Sequence, residues 1–398
     1  MRFGLDRIRR LVSALGMPQH RFSSIHVVGT NGKSSVAEMT AALLEAHGVA
    51  TGAYVSPHDR RWSERIRIRG SEIEPSGFAA AVERTAQAVA AVERTLVEDE
   101  SITQFEADTA AAFVALAGAG VEIAVIEAGL GGRLDATNVL ASKLTALTSI
   151  GLEHTQWLGD TEVEIAAEKL AVLRDHTRLV IGPVSAEVGE LARRTAAERH
   201  CALITVRDLS PRVKLASEAP YLRRNFAVAL AAAEGVLGSL DPRRVLELAA
   251  NLALHGRMEL VAGDPPLILD AAHNPDGARA LAEALPDVVG DGPVIVCVAV
   301  LADKDAAGIV QALAPAIEGL VATEVPAQRL AGSARPGARA LAASKLADLG
   351  REAGLSWVGE ERDPASAVAV ARSRARELGG AVLVTGSHYL LGYAESEH

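Results

Sequence analysis

Short apolar runs and helical patterns alternate along the first 250 residues of the chain. The apolar runs have strand length and predict β-strands at 24–28, 121–126, 144–150, 179–181 and 202–206. The helical patterns between them predict helices, among them 35–47, 76–96 and 101–118. The run at 121–126 is apolar on both faces apart from Glu122, which is typical of a buried parallel strand. The alternation therefore predicts βαβ units and a doubly wound sheet.

The alternation of strand and helix patterns stops between residues 249 and 263. The sequence HGRMELVAGDPP brings glycine and proline in quick succession, which predicts a linker and a hairpin. A second alternating series follows, with strands predicted at 267–269, 294–300, 320–325, 356–358 and 381–384 and helices such as 276–285 and 364–378. We place a domain boundary near residue 256, which gives domains 1–255 and 256–398.

Composition narrows the class of protein. Aromatic residues make up only 3% of the 398 residues, so the core is expected to be aliphatic, as in helices packed on a parallel sheet. The two cysteines, Cys201 and Cys297, are far apart, which excludes a disulfide scaffold and a thiolate zinc site and fits a reducing cytoplasm. No charge-free stretch is long enough for a transmembrane helix, so no membrane partner is expected. A net charge of −10 does not favour general nucleic-acid binding.

The sequence GTNGKSS follows the first predicted strand and opens a helix, the context that a phosphate-binding loop needs. In such a loop, backbone N–H groups and the helix N-terminus hold phosphate oxygens while the lysine reaches the terminal phosphates. Val27 stands where the usual pattern has glycine, so this is a variant loop; a simple turn with a capping serine is the weaker alternative. The predicted nucleotide-binding residues are Gly29, Thr30, Asn31, Gly32, Lys33, Ser34 and Ser35.

Polar residues stand at the ends of further predicted strands. Glu127 ends the strand 121–126, where open α/β sheets bind ligands and a carboxylate can hold Mg²⁺. His154 follows the next strand, with Lys169 fifteen residues later; a lone histidine is more often structural, but this position favours a ligand. Asp270 and His273 end the first strand of the second domain and suit a ribose or phosphate contact. These residues predict an ATP·Mg²⁺ site on the first domain.

Several motifs of the chain, taken together, resemble those of a known family. GTNGKSS, YVSPH, ITQFEADT, EAGLGGRLDATN, GLEHTQWLG, HGRMELV, LDAAHNP and LADKD occur in the order found in the folylpolyglutamate synthase/dihydrofolate synthase family of the Mur ligase superfamily. The resemblance extends from about Gly4 to Gly392. It implies an α/β fold with an N-terminal P-loop NTPase-like doubly wound domain and a smaller C-terminal Rossmann-like domain. It also implies a cytoplasmic ligase that uses ATP to join L-glutamate to dihydropteroate or a folate through an acyl phosphate.

The resemblance implies roles for individual residues. Ser56 and Glu127 would bind one Mg²⁺, and His154 would bind a second with Lys169, which would be carbamylated. Lys33, His154, Lys169 and His273 would be catalytic. Asn225, Arg257 and Asp270 would contact the nucleotide. The pterin pocket would be lined by Thr103, Gln104, Phe105, Glu106, Leu134, Asp135 and Ala136, with Phe105 stacking on the ring. Glutamate would bind near Ser387 and His388.

Three features depart from the family pattern or lack a role in it. Ser34-Ser35 stands where the family has glycine and serine, which leaves open which serine approaches Mg²⁺. About twenty residues that the family has before the segment at Phe3–Arg7 are missing, so either the true start lies upstream or pterin binding is altered. Arg60, Arg61 and Arg65 either serve an anionic substrate tail or form a solvated loop.

Two other functions stay open from the sequence. One is a Mur-superfamily amide ligase that uses a different carboxylate substrate, which the short N-terminus and Ser34-Ser35 motivate. The other is a nucleotide-binding protein without ligase activity, against which Glu127, His154 and Lys169 together argue. For the ligase we expect small-molecule partners only, with no nucleic acid, and a monomer.

Overall fold

A computed structural model describes residues 4–97, 99–290, 292–331 and 337–394. The chain divides into two compact units. The first comprises Met1–Lys214 and Arg224–Leu252, and the second comprises Leu215–Arg223 and Ala253–His398. Each unit is an α/β layer structure built on one sheet, as the alternating pattern predicts. The described helices include none with the length and apolar character needed to cross a membrane.

The first unit contains an eight-stranded sheet. Its strands are β1 (Ser23–Val28), β2 (Thr51–Tyr54), β3 (Ile66–Ile68), β4 (Ser71–Glu72), β5 (Ile123–Glu127), β6 (Leu144–Leu147), β7 (Arg178–Ile181) and β8 (Ala202–Thr205). The order across the sheet is β4-β3-β2-β5-β1-β6-β7-β8. Six strands from β2 to β8 are parallel, and β3 and β4 add an antiparallel extension beyond β2. The parallel sheet of this unit is therefore confirmed.

Nine α-helices accompany that sheet in the described part of the chain. They are α1 (Asp6–Ala14), α2 (Lys33–Ala46), α3 (Pro75–Glu93), α4 (Gln104–Gly118), α5 (Thr155–Leu158), α6 (Glu162–Leu170), α7 (Ala186–Glu198), α8 (Pro220–Leu237) and α9 (Pro242–Asn251), of which α8 begins in the segment 215–223. Alanines such as Ala110 and Ala112 let α4 approach the sheet closely, and Phe113 fills the space between α4 and the aliphatic core. The low aromatic content is thus matched by alanine-rich helices.

The second unit contains a six-stranded sheet in the order β13-β12-β11-β14-β10-β9. Its strands are β9 (Glu259–Val261), β10 (Leu267–Leu269), β11 (Val294–Val298), β12 (Gly319–Ala322), β13 (Trp357–Glu360) and β14 (Ala381–Thr385). Its helices are α10 (Pro275–Val289), α11 (Ala306–Leu313), α12 (Ala327–Ala331), α13 (Ala343–Glu352), α14 (Pro364–Leu378) and α15 (His388–Ala394). Among the described strands of this unit only β9 is antiparallel, and it forms with β10 the hairpin that the glycine and proline pattern predicts.

Candidate active site

The strand order of the first unit places four carboxyl ends side by side. β2, β5, β1 and β6 are adjacent and parallel, so their carboxyl ends lie at one edge of the sheet. Ser56 follows β2, Glu127 ends β5, the phosphate loop 29–35 follows β1, and His154 follows β6. The topology therefore gathers residues that lie far apart along the chain.

The phosphate loop connects β1 to α2 and is tied to the segment after β6. The Thr30 N–H donates to the Ser149 carbonyl oxygen at 2.7 Å. Gly32 caps α2 with φ +82°, and a Cβ there would lie 2.5 Å from Asn225 Oδ1, so glycine is needed on both counts. Asn225, which the family resemblance assigns to the nucleotide, lies on α8 and next to Gly32 of the loop. The loop thus presents a helix N-terminus in a fixed position, which suits phosphate binding.

Lys33 is the first residue of α2, and its side chain folds back over the phosphate loop. Its Nζ donates to the Thr30 carbonyl oxygen at 3.0 Å. The ammonium group and the N-terminal end of the α2 dipole therefore both contribute positive potential at the loop. This is the local positive charge that a net-negative chain needs to bind an anionic ligand.

Ser34, Ser56 and Glu127 form a connected group beside the phosphate loop. Ser34 Oγ donates to the Ser56 carbonyl oxygen at 3.3 Å, and the Ser56 N–H donates to Glu127 Oε2 at 2.9 Å. Glu127 is buried, at 2% exposed. Among the described residues no group of three or more His, Cys, Asp or Glu side chains is arranged to hold a metal ion. Mg²⁺ still fits, because it is usually bound by one or two carboxylates together with phosphate oxygens and water.

The two serines after Lys33 point to different surroundings. Ser35 is buried, and its Oγ has no hydrogen-bond partner within the described part of the chain. Ser34 is only partly buried, and its Oγ donates to the carbonyl oxygen of Ser56, the first residue of the SPH motif. Ser34 is therefore the serine that faces the Ser56 and Glu127 group.

Lys169 lies in the last turn of α6 and is almost fully buried. Burial, and after it the Lys33 charge, lower the pKa of its ammonium from 10.5 to about 7, and the Glu153 charge opposes this change. The loop at 129–135 packs directly on this helix, since a Cβ at Gly132 would lie 2.6 Å from the Glu168 carbonyl oxygen. Near pH 7, Lys169 therefore carries a neutral, nucleophilic amine in a large fraction of the molecules.

His154 lies immediately before α5 and has a left-handed backbone conformation, with φ +54°. Its Nε2 is 3.8 Å from Oε1 of the neighbouring Glu153. Because the Glu153 charge acts on Lys169, the end of β6 and the end of α6 lie in one electrostatic neighbourhood. A non-glycine residue at positive φ is uncommon and more frequent at functional sites.

Residues 103–106 lie at the start of α4, and two of their side chains, Thr103 and Glu106, cap that helix. Thr103 Oγ1 accepts the Glu106 N–H at 3.2 Å, and Glu106 Oε2 accepts the Thr103 N–H at 2.7 Å, which is a capping box. Glu106 Oε2 also accepts a hydrogen bond from Arg7 Nε at 3.1 Å in a buried ion pair. The Thr103 and Glu106 side chains therefore fix the helix and tie it to α1.

Phe105 and Gln104 are the side chains of this segment that remain for a ligand. Gln104 is exposed. The Phe105 ring lies against the loop after β5, because a Cβ at Gly129 would be 2.3 Å from Phe105 Cζ. The Phe105 and Tyr54 ring centroids are 6.4 Å apart. Phe105 is thus held in place by neighbours on two sides.

The loop at 129–136 is shaped from within by Asp135. Asp135 Oδ1 accepts the Thr137 N–H at 3.0 Å and the Thr137 hydroxyl, and Oδ2 accepts the Leu130 N–H at 2.8 Å. Burial raises the pKa of the Asp135 carboxyl, and these hydrogen bonds act in the opposite direction. Ala136 is buried, whereas Leu134 is 42% exposed and gives the loop an apolar surface.

Arg65 matches neither of the two roles that the sequence leaves open for the arginines after the SPH motif. It is 1% exposed, its Nη1 donates to Asp108 Oδ2 at 2.7 Å, and its Nε donates to His58 Nδ1 at 2.9 Å. The Tyr54 hydroxyl donates to the same Asp108 oxygen at 2.8 Å. Arg65 is therefore a structural anchor. Its buried contacts with Asp108 and His58 hold the end of the loop that carries Ser56 in the interior.

The other two arginines of that segment are paired at the surface. Arg61 Nη2 donates to Glu72 Oε2 at 2.9 Å, and Arg60 Nε lies 3.4 Å from Asp59 Oδ2. Both arginine side chains are substantially exposed. They fit the solvated-loop alternative more closely than Arg65 does.

Replacing Arg65 with methionine is expected to lower the free energy of unfolding by about 3–5 kcal/mol, because it leaves the buried Asp108 carboxylate without its cation. Arg61→Met is the matched control, since Arg61 forms an exposed pair with Glu72 and its loss should leave the free energy of unfolding nearly unchanged. Urea unfolding measures both values. Equal losses in the two variants would contradict the anchor role of Arg65.

The second unit gathers polar residues at the carboxyl end of β10. Asp270 follows that strand, is 4% exposed, and accepts hydrogen bonds from the Tyr221 hydroxyl and from backbone N–H groups. His273 Nδ1 lies 2.9 Å from the Ala271 carbonyl oxygen. The Arg257 charge acts on Tyr221, which places it in the same cluster. Asp270 and His273 follow the end of β10, as the strand pattern predicts, whereas Arg257 and Tyr221 lie beside Asp270 without a strand-end signal in the sequence.

The end of β14 is next to the end of β10 in the same sheet. Ser387 follows β14 and is buried at 2% exposed, and its Oγ has no hydrogen-bond partner within the described residues. His388 begins α15, and its ring packs on Tyr389 with centroids 3.8 Å apart. A buried hydroxyl with an unused hydrogen-bonding capacity is a candidate ligand contact.

Known proteins resemble this chain in sequence and in fold. The family model described as "Mur ligase, glutamate ligase domain" matches residues 256–388. The chain is 33% identical to the dihydrofolate synthase/folylpolyglutamate synthase of Mycobacterium tuberculosis, over 80% of this chain and 74% of that protein. A structure of the Mycobacterium tuberculosis folylpolyglutamate synthase with ADP and AMPPCP has a TM-score of 0.90, 31% identity, and covers 99% of this chain and 95% of its own.

A second solved structure adds a metal and an amino acid. It is a bifunctional folylpolyglutamate synthase/dihydrofolate synthase with Mn, AMPPNP and L-glutamate bound, at a TM-score of 0.83 and 29% identity, and it covers 100% of this chain and 94% of its own. The two-domain α/β fold and the family expected from the sequence are confirmed by these similarities. The chain therefore belongs to the folylpolyglutamate synthase/dihydrofolate synthase family of ADP-forming ligases.

Proposed function

We propose that this protein joins the amine of L-glutamate to the carboxylate of dihydropteroate, of a folate, or of both, with ATP converted to ADP and phosphate. The proposal depends most on one observation. The phosphate loop, Ser34, Ser56 and Glu127 lie together at the carboxyl edge of the first sheet. Family membership supplies the substrate class, and relatives named for these activities support it.

The chemistry follows from the poor reactivity of a carboxylate. The acceptor carboxylate attacks the γ-phosphorus of ATP, ADP leaves, and an acyl phosphate forms. The glutamate amine then attacks the acyl carbon, loses a proton, and expels phosphate from a tetrahedral intermediate. Lys33 neutralises charge on the transferring phosphoryl group, and the N-terminus of α2 holds the phosphates in line. Most of the rate enhancement is thus positioning and electrostatic stabilisation.

Two groups of residues would hold divalent cations. Ser56 and Glu127, with Ser34 beside them, would hold Mg²⁺ next to the phosphate loop; His154 and a modified Lys169 would hold a second ion. A bound cation would neutralise charge on the phosphate oxygens. The hard oxygen donors at the first position suit Mg²⁺.

Lys169 would serve the second metal position as a carbamate. Its neutral amine attacks CO₂, a C–N bond forms, and one proton is released, so a cation becomes an anionic oxygen ligand. The burial of Lys169 and its pKa of about 7 support this step, because only the unprotonated amine reacts. Carbamylation should therefore increase as the pH rises through about 7.

Carbamylation of Lys169 is tested by ¹³C NMR of the protein equilibrated with ¹³C-bicarbonate. We expect a carbamate carbonyl resonance in the wild type at pH 8, a weaker one at pH 6, and none in Lys169→Gln. Lys143→Gln is the matched control, because Lys143 is exposed at the opposite end of β6. A resonance that persists in Lys169→Gln would assign the carbamate to another lysine.

Further polar residues would contact the nucleotide. Asn225 beside Gly32, and Asp270 and Arg257 at the end of β10, would contact it, with His273 near the phosphates. Asp270 carries negative charge, so its contact would be a ribose hydroxyl and not a phosphate.

The pterin would bind beside residues 103–106 and 134–136. Phe105 would stack on the flat ring, and Leu134 would add apolar contact. Gln104 would supply polar contacts at the surface, and Ala136 the close packing. Thr103, Glu106 and Asp135 would shape the pocket, because their side chains are engaged in hydrogen bonds that hold its two segments.

Glutamate would bind in the second unit near Ser387 and His388. The unused hydrogen-bonding capacity of the buried Ser387 hydroxyl supports this position. In this proposal residues 1–255 form the ATP-binding domain, with the phosphate loop and the pterin pocket, and residues 256–398 form the glutamate-ligase domain, which also supplies Arg257, Asp270 and His273. We also propose that the protein acts as a monomer in the cytoplasm; light scattering on the purified protein measures the first point.

The substrate is tested by incubating the protein with ATP, Mg²⁺ and L-glutamate and adding dihydropteroate, tetrahydrofolate or no pterin. Mass spectrometry of the acceptor is read together with phosphate release. A gain of one glutamyl unit on dihydropteroate establishes the synthase, and a gain on tetrahydrofolate establishes polyglutamylation. A gain on neither, in a protein that binds ATP, would instead favour a ligase for a different carboxylate. ATP binding without turnover on any acid would indicate a nucleotide-binding protein.

A further inference from the structure

The acceptor positions of the Asp270 carboxylate are almost fully occupied within the second unit. Its Oδ2 accepts the Tyr221 hydroxyl at 2.5 Å and the Met258 N–H at 2.9 Å. Its Oδ1 accepts the Ala272 N–H at 2.9 Å. An ionised carboxylate offers about four acceptor positions on its two oxygens. These contacts therefore leave about one position, on Oδ1, for a ligand.

Tyr221 is the side-chain donor among these partners; the other two are backbone groups. It lies at the start of α8, in the segment 215–223 that belongs to the second unit. Burial raises the pKa of its phenol well above the ordinary value, and the Asp270 charge raises it further. The Arg257 charge opposes this change without reversing it. The phenol consequently keeps its proton and remains a donor throughout the pH range of an assay.

The two donors on Oδ2 fix the orientation of the carboxylate. A carboxylate rotates about its Cβ–Cγ bond over a broad range unless its oxygens are held. With the Tyr221 hydroxyl and the Met258 N–H on one oxygen and the Ala272 N–H on the other, rotation would break at least one hydrogen bond to a charged group. Loss of the Tyr221 hydroxyl would therefore loosen Oδ2 and, with it, the direction of the remaining Oδ1 position.

We propose that Tyr221 is a positioning residue, which holds the Asp270 carboxylate so that its remaining Oδ1 acceptor meets one ribose hydroxyl of the nucleotide. This inference rests on the nucleotide contact proposed above for Asp270. A hydroxyl is the donor that a nucleotide offers to a carboxylate, since its phosphates are anions. Tyr221 itself acts through Asp270 and does not touch the nucleotide.

The test compares ATP with 2′-deoxy-ATP and 3′-deoxy-ATP in steady-state assays. For the hydroxyl that Asp270 contacts, the wild type should show kcat/KM for ATP at least about tenfold above that for the deoxynucleotide, because a hydrogen bond to a charged group is lost. In Tyr221→Phe this ratio should fall towards one, mainly through KM for ATP, with kcat little changed. A merely structural loss would lower kcat/KM for all three nucleotides by the same factor.

Two further variants make the outcomes distinguishable. Asp270→Asn should lower the same ratio; if it leaves the ratio at the wild-type value, the nucleotide contact of Asp270 is wrong and the inference fails with it. If Asp270→Asn lowers the ratio and Tyr221→Phe does not, the positioning role alone is overturned. Tyr393→Phe is the matched control, because the Tyr393 ring packs against Arg329 on a different helix. Thermal melts of each variant show that the compared proteins are folded.

Discussion

Lys33→Met is expected to lower glutamate-dependent ADP formation by about 100- to 1,000-fold, the effect of removing one group that stabilises transition-state charge. Lys33 begins α2, and its Nζ already lies over the phosphate loop, 3.0 Å from the Thr30 carbonyl oxygen. Methionine keeps the length and apolar character of the side chain and removes the charge. The rate of phosphate release under saturating ATP measures the effect.

Lys143→Met is the control for this variant. Lys143 is exposed and immediately precedes β6, at the opposite edge of the same sheet, so its charge cannot reach the phosphate loop. Its activity should equal that of the wild type. Full activity in Lys33→Met would show that this loop does not bind the transferring phosphate.

Glu127→Gln is expected to weaken Mg²⁺ binding by about 100-fold or more, because even residues one layer outside a metal site typically alter affinity 10- to 100-fold. Glutamine can still accept the hydrogen bond that Ser56 N–H donates at 2.9 Å, so the local fold is retained while the negative charge is lost. The Mg²⁺ concentration at half-maximal activity should rise, and high Mg²⁺ should restore part of the rate.

The control for Glu127→Gln is Glu122→Gln, immediately before the other end of β5. Glu122 Oε2 accepts the Ala50 N–H at 2.8 Å, a hydrogen bond that glutamine also preserves. Its half-saturation by Mg²⁺ should match the wild type. An unchanged Mg²⁺ requirement in Glu127→Gln would remove Glu127 from the metal site.

The position of the site was predictable because one physical rule links sequence to topology. Parallel strands share the edge at which they end, so polar residues directly after apolar runs meet there. Glu127, the phosphate loop and Asp270 all follow such runs, and the structure places each at a strand end. Lys169 and Ser56 follow no such run predicted from the pattern. Lys169 was noted only for its distance of fifteen residues from His154, and Ser56 was indicated only by the family resemblance.

The strands that the pattern did not predict are short and lack a clear apolar period. β2 has the sequence TGAY, and β3 and β4 contain charged residues in three- and two-residue strands. Gly52 in β2 is needed because a Cβ there would lie 2.3 Å from Leu116 Cδ2, on α4. Such a requirement arises from packing between distant segments, which hydrophobic periodicity does not report.

The pairing of buried polar residues likewise could not be predicted from the local sequence. Arg65 lies in a strongly charged segment for which the sequence leaves open a role with an anionic substrate tail or a solvated loop, yet its partner is Asp108, 43 residues away. Tyr221 and Asp270 are 49 residues apart, and neither position indicates the other. Pairs of this kind depend on which elements the fold brings together, so they become apparent only once the topology is known.

The most direct test of the ligase assignment uses an acceptor, dihydropteroate or tetrahydrofolate, labelled with ¹⁸O in its carboxylate. The wild-type protein is incubated with ATP, Mg²⁺ and L-glutamate, and the masses of the acceptor product and of the released phosphate are measured together. For each amide formed, we expect the acceptor to gain one glutamyl unit and the phosphate to gain one ¹⁸O. The absence of a glutamyl product from both acceptors, or a product formed without ¹⁸O in the phosphate, would contradict it.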